Sequence, residues 1–583
     1  MIHTQEYRIF RKLFSIVCKD DKRMRFKLVI GVGLVVVGSL LNLLLPWCLK
    51  FIVEDFNRPA LFFTLILLLI SYGLIWVISR LIIDLRQIIV YRFFERGVHK
   101  FTSMIFQKIL SLSMKYHSIN TTGSMMNSIE RAQVSIPIIL YGVIFIVLPM
   151  VVEVFIAAGV LWYCYGIGVS SILFLIFLSY VLFTWFCIPW LVEAQRKGNM
   201  CHQRVSDYIT DVLMNVEGIY YQSAQKPVSQ ECEQRMMDRE NAFTKQLMRM
   251  DTVSIGQTLI TGVGFICMNL LIGLRVTNHE LVVSDFVMIN GYLIQFLVPL
   301  SIIGTSLLRN IRVCFTRMED VTKLLNEKDD VVDKLLAKNI KDAPFDISFN
   351  NVTFSYSGSK KHILKDVNFC LPEGKAMAIV GHNGAGKSTI IKLLYRLFDV
   401  SKGEITVQNE DIRNIKLFEL RKTIGMVPQE TFLLNDTIQS NLFFGLEHQV
   451  PDDMFKKITQ LTNIEEWVNT LPDKYMALVG EQGIRLSGGQ KKRIGIARVL
   501  LRNPKILVLD EAMSFLDSEV EKQIVTHINE AYDGLTKIII THHEKHLSNV
   551  DIVLYLENGS VHGYGSHEEL LIKNEKYKRL WEK

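Results

Sequence analysis

The sequence predicts an α-helical membrane domain of six spans fused to an α/β phosphate-loop domain, and three observations carry that prediction. Apolar stretches long enough to cross a bilayer, each needing about 20 residues, recur six times in the first half of the chain and not beyond residue 326. From Phe345 onward, apolar strands and helices alternate. Within that second half, Gly381-His382-Asn383-Gly384-Ala385-Gly386-Lys387-Ser388-Thr389 fits GxxxxGK[ST] in full, a loop whose backbone amides converge on phosphate. A chain of 583 residues also exceeds what one hydrophobic core organises.

Residues 1–27 form the first segment, with Arg8, Arg11, Lys12, Lys19, Lys22, Arg23, Arg25 and Lys27. Basic residues beside a span stay on the cytoplasmic side, so the amino terminus is predicted there, on an amphipathic interfacial helix. The membrane domain, 28–325, has its spans near 28–53, 60–83, 136–163, 167–192, 253–276 and 282–303. Connections after the first, third and fifth are short, and Arg58 is the one basic residue clearly within them. Those after the second and fourth are long, rich in Arg and Lys, and therefore cytoplasmic. Both read as helical except at Thr121-Thr122-Gly123-Ser124 and Gln225-Lys226-Pro227-Val228, where short turns are predicted to dock on the second domain.

Polar residues within a span are costly and line cavities, which makes Gln257, Asn290 and Gln295 cavity candidates. Glu153 reads instead as an internal hydrogen-bonding group. Arg196 and Arg309, near the cytosolic ends of spans, suit bidentate capture of a carboxylate, with snorkelling to the interface as the alternative. Residues 326–345 are charged and read as a linker, and 346–583 as the phosphate-binding domain.

Hydrophobic content of 49% and a mean hydropathy of +0.24 suit a protein embedded in a lipid bilayer. The net charge of +7 flanks the spans and forms no aromatic-interleaved basic patch, which argues against a nucleic-acid partner. Nine cysteines are scattered without CxxC spacing, so free thiols are expected. No cleavable signal or transit pattern opens the chain, which favours a bacterial inner membrane over a mitochondrial one.

In the phosphate loop, Lys387 is placed to neutralise β- and γ-oxygens and the Ser388 hydroxyl to ligate Mg²⁺. Downstream, Leu486-Ser487-Gly488-Gly489-Gln490 opens a helix, and the apolar strand from Ile506 ends in Asp510 and Glu511. A carboxylate pair there suits a Mg²⁺ ligand and a base that polarises water.

These three motifs together resemble those of the ATP-binding-cassette (ABC) transporter family. The resemblance implies that ATP and Mg²⁺ bind, that Asp510 meets the metal and that Glu511 is the base. It also implies that Tyr356, in Phe354-Ser355-Tyr356, stacks on adenine. Gln429 corresponds to a glutamine that contacts metal or water beside the docking turns. His542 corresponds to the histidine that reads the γ-phosphate, with His543 where an arginine usually follows. Asp517 fits a loop communicating across a dimer, with Phe515 where Ala is usual. Ser487, Gly489 and Gln490 would meet ATP on the phosphate loop of a second subunit. A homodimer with composite sites is thus implied, and a heterodimer of unlike halves stays open.

Within the family, Thr122-Gly123, Ile129-Glu130-Arg131, Leu148-Pro149 and Glu153 resemble the mitochondrial and bacterial glutathione-linked exporters. So does Asp285-Phe286-Val287-Met288-Ile289-Asn290-Gly291-Tyr292-Leu293-Ile294-Gln295, continuing to Gly304, Arg309 and Met318-Glu319. Glutathione conjugates, sulfur or heavy-metal species are the cargo that branch implies. The chain departs from it at Val192, His202, Tyr220 and Ser254. A hydrophobic peptide, lipid or drug is an alternative cargo; a siderophore-type importer and a membrane sensor ATPase are alternative functions.

Overall fold

The computed structural model describes residues 8–11, 13–16, 22–56, 62–120, 122–302, 308–340, 345–356, 361–446, 449–513, 516–532 and 534–582. The side chains of Phe62, Leu297, Val298, Pro299, Ser301, Ile302, Leu308, Arg309 and Gln482 are excepted. Gly304, Ser514, Phe515 and residues 341–344 of the charged stretch lie outside the described residues. The chain divides into two compact units: residues 1–111 with 121–327, and Leu112–Asn120 with Lys328–Lys583.

In the first unit, residues 8–11 and 13–16 are helical, with Ile9 and Leu13 buried. The helices Lys22–Phe56, Phe62–Ser111, Thr122–Tyr141, Leu148–Tyr165, Ile167–Met214, Gln225–Thr277, Val283–Ile302 and Leu308–Asn326 follow. Thr122–Tyr141 runs through a π-helical turn, Gly142–Val147, into Leu148–Tyr165, making one spanning element. A wider turn accommodates Pro149, whose ring would otherwise crowd the carbonyl four residues back. Among the described residues five elements are long and apolar enough to cross a membrane, and the 20-residue helix Val283–Ile302 lies where the sixth span is predicted. The chain is a multi-pass membrane protein.

Three of these helices have 50, 48 and 53 residues. At 1.5 Å per residue each reaches roughly 75 Å, more than twice the ~30 Å hydrocarbon core, so each continues well past it. The scarcity of breakers in the long connections has this consequence.

The turns lie elsewhere than predicted. Thr122, Gly123 and Ser124 already belong to a helix, and the short element before them is Met114–Ile119. Gln225–Val228 likewise starts the 53-residue helix, while the break falls at Asn215 and Ser223 around Val216–Tyr221. Pro227 sits in a first turn, where its missing N–H has no helical acceptor to lose.

Without a hydrophobic drive between helices in lipid, small residues and buried hydrogen bonds hold the spans together. Gly256 and Gly264 face Phe183 and Ile176 so closely that a Cβ would stand 2.5 Å and 2.3 Å from them. Tyr180 donates to the Leu300 carbonyl at 2.7 Å, and Tyr292 to the Leu43 carbonyl at 2.8 Å. Large apolar side chains such as Phe63 and Phe186 are left exposed on the outside, as a lipid-facing surface requires.

The second unit has two sheets. An antiparallel sheet of order β2-β1-β4-β5 comprises β1 Ile347–Phe354, β2 Leu364–Leu371, β4 Lys402–Val407 and β5 Glu410–Asp411. The other, of order β10-β9-β3-β8-β7-β6, comprises β3 Ala376–Val380, β6 Ile424–Val427, β7 Ile506–Asp510, β8 Thr536–Ile540, β9 Ile552–Glu557 and β10 Ser560–Gly565. All neighbours in it run parallel except β9 and β10. Strands covered on both faces read as unbroken apolar runs, and β7 is buried at every position. Parallel strands end on the same side, so β3, β8, β7 and β6 deliver Gly381, Thr541, Glu511 and Pro428 to one edge.

The stretch predicted as a linker is partly seated on this unit. Lys334 Nζ meets Asn414 Oδ1 at 2.6 Å, the Leu417 N–H donates to Asp333 at 2.9 Å, and Lys115 pairs with Asp330 at 3.1 Å.

Gly264→Val is expected to lower stability by about 1–3 kcal/mol through overpacking against Ile176. Gly262→Ala, with nothing within 4 Å of the added carbon, is expected to be neutral or stabilising. Thermal unfolding of both variants in detergent tests the contrast, which vanishes if this helix pair is not packed as described.

Candidate functional site

The phosphate loop starts where β3 ends. Gly381 has φ +153°, and a Cβ there would stand 2.2 Å from the Leu556 carbonyl oxygen. Gly386, at φ +108°, caps the helix Lys387–Leu394 with its alternative Cβ 2.6 Å from Leu364. Only glycine fits either position. Ala385 and Thr389 turn inward, whereas His382, Asn383, Gly384 and Ser388 are exposed. The Tyr356 hydroxyl lies 3.3 Å from Thr389 Oγ1, and its ring meets Phe354 and Phe398 edge-on at 5.0 and 5.3 Å. Those contacts hold Tyr356 beside the loop.

Lys387 Nζ donates to the carbonyls of Gly381 at 2.7 Å and His382 at 3.2 Å. Burial pulls its pKa below the ordinary value, while Glu511 and Asp510 work to hold it up. An ammonium so desolvated gains by exchanging carbonyl dipoles for anionic oxygens.

Asp510, the last residue of β7, is buried, and its carboxyl is pushed above the usual range by that burial and then by the charge of Glu511. Glu511 follows at φ +46°, its N–H donating to the Ile540 carbonyl at 3.1 Å. One carboxylate oxygen accepts from Gln429 Nε2 at 2.7 Å, and the other lies 3.2 Å from His542 Nε2. Burial first, then the charge of Lys387, lowers the pKa of His542, which keeps the ring neutral at neutral pH.

These residues surround a cleft of roughly 480 Å³ lined by Asn383, Lys387, Ser388, Gln429, Glu511 and His542, among others. The volume suits a small-molecule ligand. Ser388, Asp510 and Gln429 offer hard oxygen donors, and the raised carboxyl of Asp510 marks a place where a cation relieves repulsion. The donor set fits Mg²⁺.

Ser487, Gly489 and Gln490 do not line this cleft. Ser487 Oγ accepts from the Gln490 N–H at 3.2 Å, and Gln490 Oε1 accepts from the Ser487 N–H at 2.9 Å. This capping box starts the helix Gly488–Leu501. The Gln490 side chain is therefore engaged in its own helix start in this single chain.

In the spans, Gln257 is 2% exposed and donates to Thr184 Oγ1 at 2.8 Å. It joins two helices instead of facing open space. Asn290 is partly exposed and donates to the Phe286 carbonyl of its own helix at 3.1 Å. Gln295 is partly exposed and Arg196 exposed, whereas the Arg309 side chain lies outside the described residues. The eight described cysteines are free.

Sequence reasoning missed Lys492. It is 3% exposed, and its Nζ donates to the Gln429 carbonyl and, at 3.0 Å, to that of Pro428. A lysine between Lys491 and Arg493 looks like one of a solvated run; only the fold shows it turned inward to pin the Gln429 turn.

Comparison with known proteins matches residues 28–300 to the ABC transporter transmembrane region and 364–514 to the ABC transporter family. The chain is 32% identical to ABC transporter B family member 6 of Dictyostelium discoideum, over 96% of its own length and 84% of the relative's. It is 30% identical to the mitochondrial iron-sulfur clusters transporter ATM1 of Saccharomyces cerevisiae, over 99% and 85%. The solved structure of a bacterial Atm1-family ABC exporter with ATP bound superposes with a TM-score of 0.88 at 29% identity, covering 96% of this chain and 98% of that one. The chain therefore belongs to the ABC transporter family, as an ATP-hydrolysing half-transporter of the Atm1 exporter type.

Proposed function

We propose that two copies of this chain form the working exporter, with Mg²⁺–ATP bound at two composite sites and an anionic thiol or sulfur species as cargo. The observation that carries the assembly is the split of the site: Lys387, Gln429, Glu511 and His542 line one cleft, and Ser487 and Gly489 stand outside it. A second subunit's signature helix, with its capped start and free amides, supplies the missing wall.

Lys387 binds the phosphates within the cleft, and Tyr356, beside the phosphate loop, stacks on the adenine. Glu511 accepts a proton from the attacking water while Gln429 and His542 fix its two oxygens. Ser388, Asp510 and Gln429 would hold Mg²⁺, which supplies charge neutralisation at the β- and γ-oxygens. Hydrolysis then biases a two-state exporter whose cargo affinity differs between states.

The sulfur reading is supported by the branch motifs and by relatives named as iron-sulfur clusters transporters. The burial of Gln257 and the departures at Val192, His202 and Tyr220 favour a more apolar cargo as the second reading. The bacterial Atm1-family structure supports a bacterial inner membrane, with the ATPase domain on the side of the basic connections. Mitochondrial relatives make the mitochondrial inner membrane the alternative.

Three outcomes are expected. Glu511→Gln keeps nucleotide affinity and lowers phosphate release by about 10²-fold or more, whereas Lys387→Ala weakens nucleotide binding itself; normal turnover in the first variant removes Glu511 from its role. His542 titrates below its ordinary 6.5, so between its folded-state midpoint and 6.5 the unfolded chain binds more protons. Stability then rises with pH across that window, and His542→Ala flattens the rise in unfolding temperature. In proteoliposomes, oxidised glutathione raises ATPase activity and Arg196→Ala or Arg309→Ala lowers the stimulation factor; stimulation by a hydrophobic drug alone would move the cargo to the apolar class.

A further inference from the structure

Behind His542 runs a chain of hydrogen bonds that is not part of the nucleotide cleft. After Glu511 the polypeptide re-enters the fold as the helix Ser518–Ala531, which carries Glu521 to a position only 6% exposed. His546, in the short 3-10 helix Glu544–Asn549, hydrogen-bonds one Glu521 oxygen through Nε2, and Lys545 Nζ meets the other at 2.5 Å. On the other edge of the ring, His546 Nδ1 lies 2.6 Å from Thr541 Oγ1. Thr541 is buried, directly precedes His542, and accepts the N–H of His543 at 3.0 Å. One hydroxyl thus ties down the backbone on both sides of His542.

The donors and acceptors balance. Burial alone would push the Glu521 carboxyl upward, but its bonds to Lys545 and His546 outweigh that and hold it below the usual range, so it accepts as a carboxylate. His546 with its proton on Nε2 donates to Glu521, and its bare Nδ1 accepts the Thr541 hydroxyl proton. The Thr541 oxygen keeps a lone pair for His543 N–H. No member is left unmatched, and a satisfied buried network of this kind is rigid.

The relay also closes a ring. Glu511 and His542 stand 3.2 Å apart across the cleft, on segments that leave β7 and β8. Glu521 lies on the continuation of the first segment, and Thr541 and His546 on the second. His546 and Thr541 further line a small cavity with Glu511 and His542.

We propose that His546 is a positioning residue for ATP hydrolysis, linking Glu521 to Thr541 so that His542 is held against Glu511. This rests on the reading of His542 as the γ-phosphate histidine. His546 does not line the nucleotide cleft and acts through the turn it fixes. Its loss should therefore slow turnover without weakening nucleotide binding.

The test is ATPase kinetics of the full-length protein in lipid. His546→Leu, which keeps bulk and removes both bonds, is expected to lower kcat about tenfold or more with KM for ATP within about twofold. His546→Gln retains an N–H for Glu521 and an oxygen for Thr541, and is expected to recover most of the loss. Thr541→Val should reproduce the defect and Thr541→Ser relieve it, which keeps the proposal testable if His546→Leu does not fold. Unchanged kcat in both His546→Leu and Thr541→Val would overturn it, as would equal losses in the Leu and Gln variants or a parallel change in KM. His542→Ala, measured alongside, separates the two readings: full activity there sinks the role of His542, whereas an inactive His542→Ala with an unaffected His546→Leu sinks only the relay.

Discussion

Two adjacent carboxylates at the end of a fully buried strand are the constraint on which the ATPase unit depends. Burial first, and then repulsion from Glu511 where water screens little, raises the carboxyl of Asp510. The fold answers with two buried cations. Lys387 comes from the end of β3 and Lys492 from the helix Gly488–Leu501, and both act to lower that carboxyl. A parallel sheet makes the answer possible, because β3, β8, β7 and β6 present their ends on one side. Antiparallel neighbours would have scattered the same residues over two edges.

The membrane imposes a different constraint on the other unit. A bilayer offers no partner to a polar group, so the hydroxyls of Tyr180 and Tyr292 end on backbone carbonyls and the Gln257 amide on Thr184. Close glycine contacts then bring the helices together. The helices outlast the hydrocarbon core, and the segment Leu112–Asn120 between two of them belongs to the ATPase unit, where Lys115 pairs with Asp330. An exposed ion pair contributes at most about 1 kcal/mol.

What could be read from sequence follows from which forces act locally. Spans, the phosphate loop and the apolar strand before Asp510 are set by runs and spacings that need no partner, and they were legible. The turn near Pro227 was misplaced because a proline reads as a breaker by residue type, whereas its effect depends on its position within the helix. The local partners of Gln257 and Gln490 were hidden for a related reason. A polar side chain in a span, or after a signature glycine, carries no mark of whether it faces a ligand or a neighbouring backbone. Lys492 and His546 were invisible because their roles rest on contacts more than twenty residues away in sequence, Lys492 with Gln429 and His546 with Glu521.

Glu511 gathers these threads. A non-glycine residue at φ +46° costs of order 1–3 kcal/mol, and such strain persists only where surroundings over-determine it. A hydrogen bond to a charged group contributes about 1.5–3 kcal/mol, so the bond from Gln429 is of the size needed to offset it, and His542 Nε2 stands 3.2 Å from the other oxygen. The Gln429 turn and the His542 turn both bear on this carboxylate, and each turn is anchored separately, one by Lys492 and the other by Thr541. A displacement of either anchor shifts a group that faces the base. That arrangement makes hydrolysis conditional on the positions of two segments far apart in the chain, which is what coupling ATP turnover to a conformational change requires of a catalytic residue.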